Sequence, residues 1–297
     1  MYLKSLWFSL FVCVVAAAPA RAQRVSLDSV SVADTAVRHV VRLRDGSSLV
    51  GRILVVTPDS IRLRLAQGEV TLARSGIDQV RQVPTTSIRN GVYWFENPHS
   101  TRLLFSSTAF PLEKGTGYYS NTWLFMHTFA AGLTDRFTLG GGGTTIPGIA
   151  FSENLFYLLP KYTVVNAGQT RVALGALLGF FPFNSDVEDK ATAGGLLYAV
   201  GTTGSRDSNL SLGVAWGYAE GELTKNPGAM LGGQVRINRR VSLISENWII
   251  PIEGDTEGVV SYGLRFLGEA ISVDLAWVAL LGESGSAAPW LGFAFRF

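Results

Sequence analysis

Leu210, Leu212, Val214, Trp216 and Tyr218 fall on one side of an alternating run, and Ser211, Gly213, Ala215, Gly217 and Ala219 fall on the other. The same period of two recurs downstream. Leu231, Val235 and Ile237 oppose Gln234, Arg236 and Asn238. Val260, Tyr262, Leu264 and Phe266 oppose Ser261, Gly263 and Arg265, and Ile271, Val273, Leu275 and Trp277 oppose Ser272, Asp274 and Ala276. Alternation of this kind marks β-strands. It predicts twelve of them: Thr101–Leu112, Tyr118–Leu133, Phe137–Gly143, Asn154–Val165, Arg171–Phe183, Thr192–Thr203, Leu210–Glu220, Ala229–Asn238, Val241–Ile252, Val259–Leu267, Ile271–Leu281 and Pro289–Phe297. Most are long enough to cross a membrane as tilted strands, which takes about 9–11 residues. A soluble sandwich also alternates, but its outward face is richly charged. Here the polar face is mostly Gly, Ala and Ser, which suits the crowded inside of a narrow barrel. The bulky face is therefore assigned to lipid.

Composition supports that assignment. Only 16% of residues are charged, against about 25% in soluble domains. Connections alternate in length as well. Short ones fall at Thr134-Asp135-Arg136, Ala167-Gly168-Gln169, Gly204 to Ser208, Arg239-Arg240 and Gly268-Glu269. Longer ones lie between them and carry Glu153, Asp186, Glu188, Asp189, Glu222, Glu253, Asp255, Glu257 and Glu283. Transmembrane barrels keep short turns in the periplasm and long loops outside. An even strand number then puts both barrel termini at the periplasmic end.

The chain ends agree with export. Lys4, the apolar run Leu6 to Ala18 and the site Ala20-Arg21-Ala22 read as a secretory signal peptide over residues 1–22. The single cysteine, Cys13, lies inside it, so disulfides do not hold the mature chain together. At the other end Phe293, Phe295 and Phe297 alternate with Ala294 and Arg296. The spacing Gly292, Phe295, Phe297 resembles the carboxy-terminal insertion signal of bacterial outer-membrane barrels. That resemblance implies recognition by the barrel-assembly machinery. Trp290 stands where the signal usually has a polar residue.

The part preceding the barrel differs in charge. Residues 23–90 carry ten arginines against six carboxylates, while residues 91–297 carry 13 basic against 17 acidic residues. After an N-terminal segment, 23–38, residues 39–84 read as a β-meander with turns at Asp45-Gly46, Pro58-Asp59 and Gln67-Gly68. Its pattern resembles a small Sm-like or SH3-like barrel. Sm-like domains often bind RNA, and Arg42, Arg44, Arg52, Arg62, Arg64 and Arg74 form a basic set. An exported protein meets little RNA, so no nucleic-acid partner is assigned. Solvated strand faces account for these arginines, and so does contact with anionic headgroups or cell wall.

A linker, 85–100, leads to the barrel, 101–297. The run from Trp94 to Tyr119, WFENPHSTRLLFSSTAFPLEKGTGYY, resembles the opening of a group of uncharacterised bacterial outer-membrane barrels with comparable amino-terminal β domains. The resemblance implies an all-β fold: an antiparallel transmembrane β-barrel, preceded by a small periplasmic domain. It also implies contact with outer-membrane lipid and lipopolysaccharide, and it brings no activity.

Function is left between three readings. The first is a passive pore for small anionic solutes, because Arg102, Lys161, Arg236, Arg265 and Arg296 outnumber Glu246 and Asp274 among the expected lumen residues. The second is a plugged structural or envelope-tethering barrel in which those charges pair with one another, with a periplasmic or cell-wall partner for the small domain. The third is a lipid hydrolase or protease. It needs a histidine base, and His39, His99 and His127 have no companion Ser or Asp at a usable spacing. No catalytic residue, metal or cofactor is assigned. The carboxylate runs 186–189 and 253–257 lack EF-hand spacing, and solvated loop charge explains them.

Overall fold

The computed structural model describes residues 37–148, 154–181, 192–219, 221–252, 255–282 and 287–297. The signal-peptide residues lie outside these ranges, as do Glu153, Asp186, Glu188, Asp189, Glu253 and Glu283. The chain divides into two compact units, one ending at Glu96 and the other running from Asn97 to Phe297.

The first unit is an antiparallel five-stranded sheet. Its strands are β1 (Val37–Leu43), β2 (Ser48–Val56), β3 (Ser60–Leu65), β4 (Gly68–Ala73) and β5 (Ile77–Pro84). The order is β4-β3-β2-β1-β5, so β5 returns to lie beside β1. Gly46 turns the chain between β1 and β2 with φ 86°, a conformation that costs glycine little. Alternation then sorts the side chains: Ile61 and Leu63 pack with Val41, Ile53, Ile77 and Val80 in the core. Arg62 and Arg64 face outward, and Arg64 pairs with Glu69 of β4 at 2.7 Å. A short hairpin follows, β6 (Ile88–Arg89) and β7 (Val92–Tyr93), turned by Asn90-Gly91 with both φ angles positive.

The second unit is a closed antiparallel barrel of twelve strands. They are β8 (Gly117–Thr122), β9 (Met126–Gly132), β10 (Phe137–Thr144), β11 (Phe156–Ala167), β12 (Thr170–Phe181), β13 (Thr192–Gly204), β14 (Ser208–Ala219), β16 (Gly228–Arg236), β17 (Val241–Ile252), β18 (Asp255–Leu267), β19 (Ile271–Leu280) and β20 (Ala288–Arg296). A two-residue strand, β15 (Glu222–Leu223), adds to β14 within a connection. β20 pairs with β8, matching Phe295 to Tyr119, and closes the ring. Beyond the last strand, Phe297 and Gly117 exchange backbone hydrogen bonds of 2.9 and 3.0 Å.

The strand number matches the expectation, but two of the expected strands are wrong. Thr101–Leu112 is no barrel strand: it folds into the lumen, and adjacent Leu103 and Leu104 are both buried there. Tyr118–Leu133 is two strands, β8 and β9, joined through Trp123 and Leu124 at φ 52° and 68°. No Gly or Pro signals that turn. Trp123 is held in place instead: its indole N–H donates to the Pro289 carbonyl at 2.9 Å, and its ring packs on Trp290.

The outward face is apolar around the circumference. Leu212 is 63% exposed and Tyr262 65%, and Leu174, Leu231, Val235, Leu275, Trp277 and Phe295 share that surface. Soluble monomers rarely expose a contiguous apolar patch larger than a few hundred Å². A closed barrel has no unpaired strand edge, so hydrocarbon is its natural solvent. The fold is a transmembrane β-barrel of the outer-membrane type.

Candidate functional site

The lumen holds the inserted segment Asn97–Thr116. Among the described residues its only β-bridges are Arg102 to Ser107 and Lys114 to Gly132. It bends back through a tight turn, in which the Leu103 N–H donates to the Ser106 carbonyl at 2.9 Å and the Thr108 N–H to the Thr101 carbonyl at 3.0 Å. Buried backbone groups without a strand partner still need hydrogen bonds. Here inward side chains of the barrel wall supply them.

Three wall residues do most of this. The Arg265 guanidinium on β18 donates to the carbonyls of His99 (2.7 Å), Arg102 (3.0 Å) and Leu103 (2.8 Å). The Glu246 carboxylate on β17 accepts from the Phe105 N–H at 2.9 Å and the Ser106 N–H at 3.1 Å. It also accepts from the Trp248 indole N–H at 2.7 Å. The Lys161 ammonium on β11 donates to the carbonyls of Thr101 (3.3 Å), Thr108 (3.0 Å) and Phe110 (2.9 Å).

Threonines complete the cradle. Thr202 of β13 accepts from the Ala109 N–H, Thr163 of β11 donates to the Ala109 carbonyl, and Thr138 of β10 accepts from the Leu112 N–H. Where the segment enters, Arg206 in the β13–β14 turn donates to Ser100 and Pro111 and lies over the Phe110 ring.

The expected lumen charges therefore divide into groups. Lys161, Glu246 and Arg265 hold the inserted segment. Asp274 on β19 takes two hydrogen bonds from Arg265, at 2.7 and 2.8 Å. Arg236 on β16 pairs with Asp207 at 2.8 Å and donates to the Arg239 carbonyl, near the short-turn end. Arg296 lies 3.8 Å from Glu113 of the inserted segment. Arg102 departs from its expected place, because it belongs to the segment and not to the wall. Its guanidinium donates to the Leu104 carbonyl and to the Ser120 hydroxyl, both at 3.3 Å.

Sequence reasoning missed Thr138, Thr163 and Thr202, and it put Gln234 on the polar face without a task; Gln234 accepts from Arg265 at 3.2 Å and donates to the Arg206 carbonyl at 3.1 Å. Each sits at an inward position of its strand, and alternation alone marks those positions. Their task becomes visible only once the segment is inside. Gly232 was also missed. A Cβ there would meet the Leu103 side chain at 2.6 Å, so this glycine makes room for the segment.

Cavities of about 370 and 400 Å³ lie beside the segment. Phe105, Leu196, Ala215 and Trp248 line both. The walls here are bulkier than the expected Gly, Ala and Ser lining, since Leu177, Leu196, Val200, Met230 and Trp248 also face inward.

No family model matches the chain, and no curated protein matches it. Solved structures do. A KdgM porin in complex with disordered oligogalacturonate superposes with TM-score 0.45 at 10% identity, over 61% of this chain and 98% of that one. An OmpT loop-deletion mutant from Vibrio cholerae gives TM-score 0.36 at 10% identity, over 88% and 96%. A NanC porin gives 0.39 at 10%, over 61% and 98%. The fold assignment rests on the closed strand pairing itself.

The barrel unit has two histidines among its described residues. His127 on β9 contacts the hydroxyls of Tyr119 (2.8 Å) and Thr145 (2.7 Å), with Asn121 at 3.2 Å. No carboxylate joins that set among the described residues. His99 is buried in the inserted segment, edge-on to Tyr118.

Proposed function

We propose that this protein is a passive outer-membrane conduit for small anionic solutes, kept shut by its own inserted segment. One observation carries the reading. The segment is tied to the wall mainly by side chains and not by a continuous β-ladder, so it can leave the lumen without opening the barrel. Around it, Lys161, Arg236, Arg265 and Arg296 on the wall outnumber Glu246 and Asp274, and a positive lining favours anions.

In this reading the first unit stands in the periplasm. Its exposed arginines meet an anionic envelope partner, and Gly292, Phe295 and Phe297 present the chain to the assembly machinery. The test is single-channel recording in planar bilayers with a salt gradient. The intact protein stays closed or opens briefly, whereas a variant lacking residues 101–110 conducts steadily and prefers anions. A silent deletion variant that is still a folded barrel overturns the proposal, and so does cation preference.

A further inference from the structure

The larger cavity carries two cations with no anionic partner. Arg102 and Lys161 are 7% and 4% exposed, both line this cavity, and neither pairs with a carboxylate among the described residues. Glu246 lines the other cavity and is engaged by the Phe105, Ser106 and Trp248 N–H groups. Buried charge without a partner is costly.

The donors at this end are also incompletely used. A guanidinium has five N–H donors, and Arg102 commits only those to Leu104 and Ser120. The Ser106 hydroxyl beside it is buried without a hydrogen-bond partner. The rest of the lining is mainly apolar, with Leu159, Leu177, Leu196, Val200 and Met230 beside the hydroxyls of Thr128, Thr138, Tyr157 and Tyr198.

We propose that this cavity is a binding chamber for an anionic amphiphile. A carboxylate or phosphate head sits on Arg102 and Ser106 with Lys161 behind, and a single apolar chain lies along the leucine-rich wall. A volume of about 400 Å³ falls within the range of small-molecule sites, which also combine apolar walls with a few polar anchors. The inference deepens the conduit reading by naming the solute class. It also explains a lumen that is positive yet greasy, which a pore for small hydrophilic anions does not need.

The test is equilibrium dialysis of the mature full chain, refolded in amphipol, against radiolabelled decanoate, decanol and acetate. Decanoate binds saturably at one per barrel, and decanol and acetate do not. Arg102→Gln weakens decanoate by roughly tenfold or more, the scale of a lost charge-assisted hydrogen bond. Leu177→Trp fills the chamber, leaves the cations in place and abolishes binding. Heat-modifiable gel mobility confirms that each variant is folded, and the second variant decides the matter if the first does not fold.

A lysophosphatidylglycerol arm separates sources. Saturable binding of that lipid alone supports the chamber with a membrane-derived ligand. Absence of saturable binding for both amphiphiles overturns the proposal, as does equal binding of decanol. Saturable binding together with silent bilayer recordings from the deletion variant discards the conduit and keeps the chamber.

Discussion

Arg265 and Asp274 are direct cross-strand neighbours on β18 and β19, and their side chains form a two-point ion pair inside the barrel. The pair uses Nε and Nη2 of the guanidinium, while Nη1 and Nη2 also reach three carbonyls of the inserted segment. Asp274 thus orients the residue that holds the segment. Asp274→Ala leaves a buried guanidinium uncompensated, which costs about 3–5 kcal/mol. Replacing both residues, with Arg265→Met and Asp274→Leu, costs the barrel much less but still frees the segment. Urea unfolding in liposomes followed by tryptophan fluorescence, compared across the single and double variants, checks the ordering.

Glu246 anchors the tip of the segment. Glu246→Gln keeps the shape but removes the charge from bonds to Phe105, Ser106 and Trp248. Hydrogen bonds to a charged group contribute about 1.5–3 kcal/mol, so the tip detaches far more often while the barrel stays folded. Hydrogen exchange at Phe105 and Ser106 amides rises, and exchange in β17 and β18 does not. Equal protection of the tip in both proteins defeats this account.

Gly232 tests the fit from the wall side. Gly232→Val places a branched side chain where Leu103 now packs, at a site already tight for a single Cβ. Overpacking of this kind costs about 1–3 kcal/mol. Expelling the segment relieves the contact with Leu103, so the variant gains bilayer conductance, while the 2.8 Å approach to the Ser245 carbonyl of β17 remains and lowers the stability of the barrel itself. Gly232→Ala shows a smaller gain in the same direction.

The strand-by-strand alternation made the barrel legible, because lipid outside and a lumen inside impose opposite demands on successive residues. The short connections were legible from their turn residues. The inserted segment was not. Inside a barrel a chain is surrounded, so Leu103 and Leu104 are both buried and facing carries no sequence signature. That Leu-Leu neighbour pair, with Pro98 and Pro111 around it, was the available warning. The inward charges were also readable, but their bonds depend on what fills the lumen. Arg265 and Asp274 are the exception, since the short Gly268-Glu269 connection already sets them opposite each other.

The first unit carries a pH dependence of its own. His39 is buried on β1 and its Nδ1 accepts the Ile53 N–H at 3.2 Å, which requires an unprotonated nitrogen. Burial lowers its pKa below the ordinary 6.5, and the charges of Arg38 and Arg52 lower it further. The unfolded chain therefore binds the proton more readily than the folded one. His39 favours the folded unit fully above about pH 6.5, and that advantage fades as pH falls toward the depressed native value. Amide protection in β1 and β2 drops between pH 7.5 and 5.5 while barrel strands hold theirs. His39→Leu flattens the response, because the leucine cannot titrate.

Closure of the ring gives the last prediction. Phe297 lies past β20, yet it exchanges two backbone hydrogen bonds with Gly117, the first residue of β8. Its ring also covers that glycine so closely that an added Cβ at Gly117 would stand 2.7 Å from it. Deleting Phe297 removes both bonds at the seam, at about 1 kcal/mol each, and uncovers the start of β8. A finished barrel held by eleven other strand pairings loses only that much stability. On the reading of Gly292, Phe295 and Phe297 as an insertion signal, assembly suffers more. The fraction of exported chain that becomes heat-modifiable falls several-fold, while the unfolding midpoint of the chains that do fold shifts little. A matching loss in both quantities would mean that Phe297 acts through packing alone.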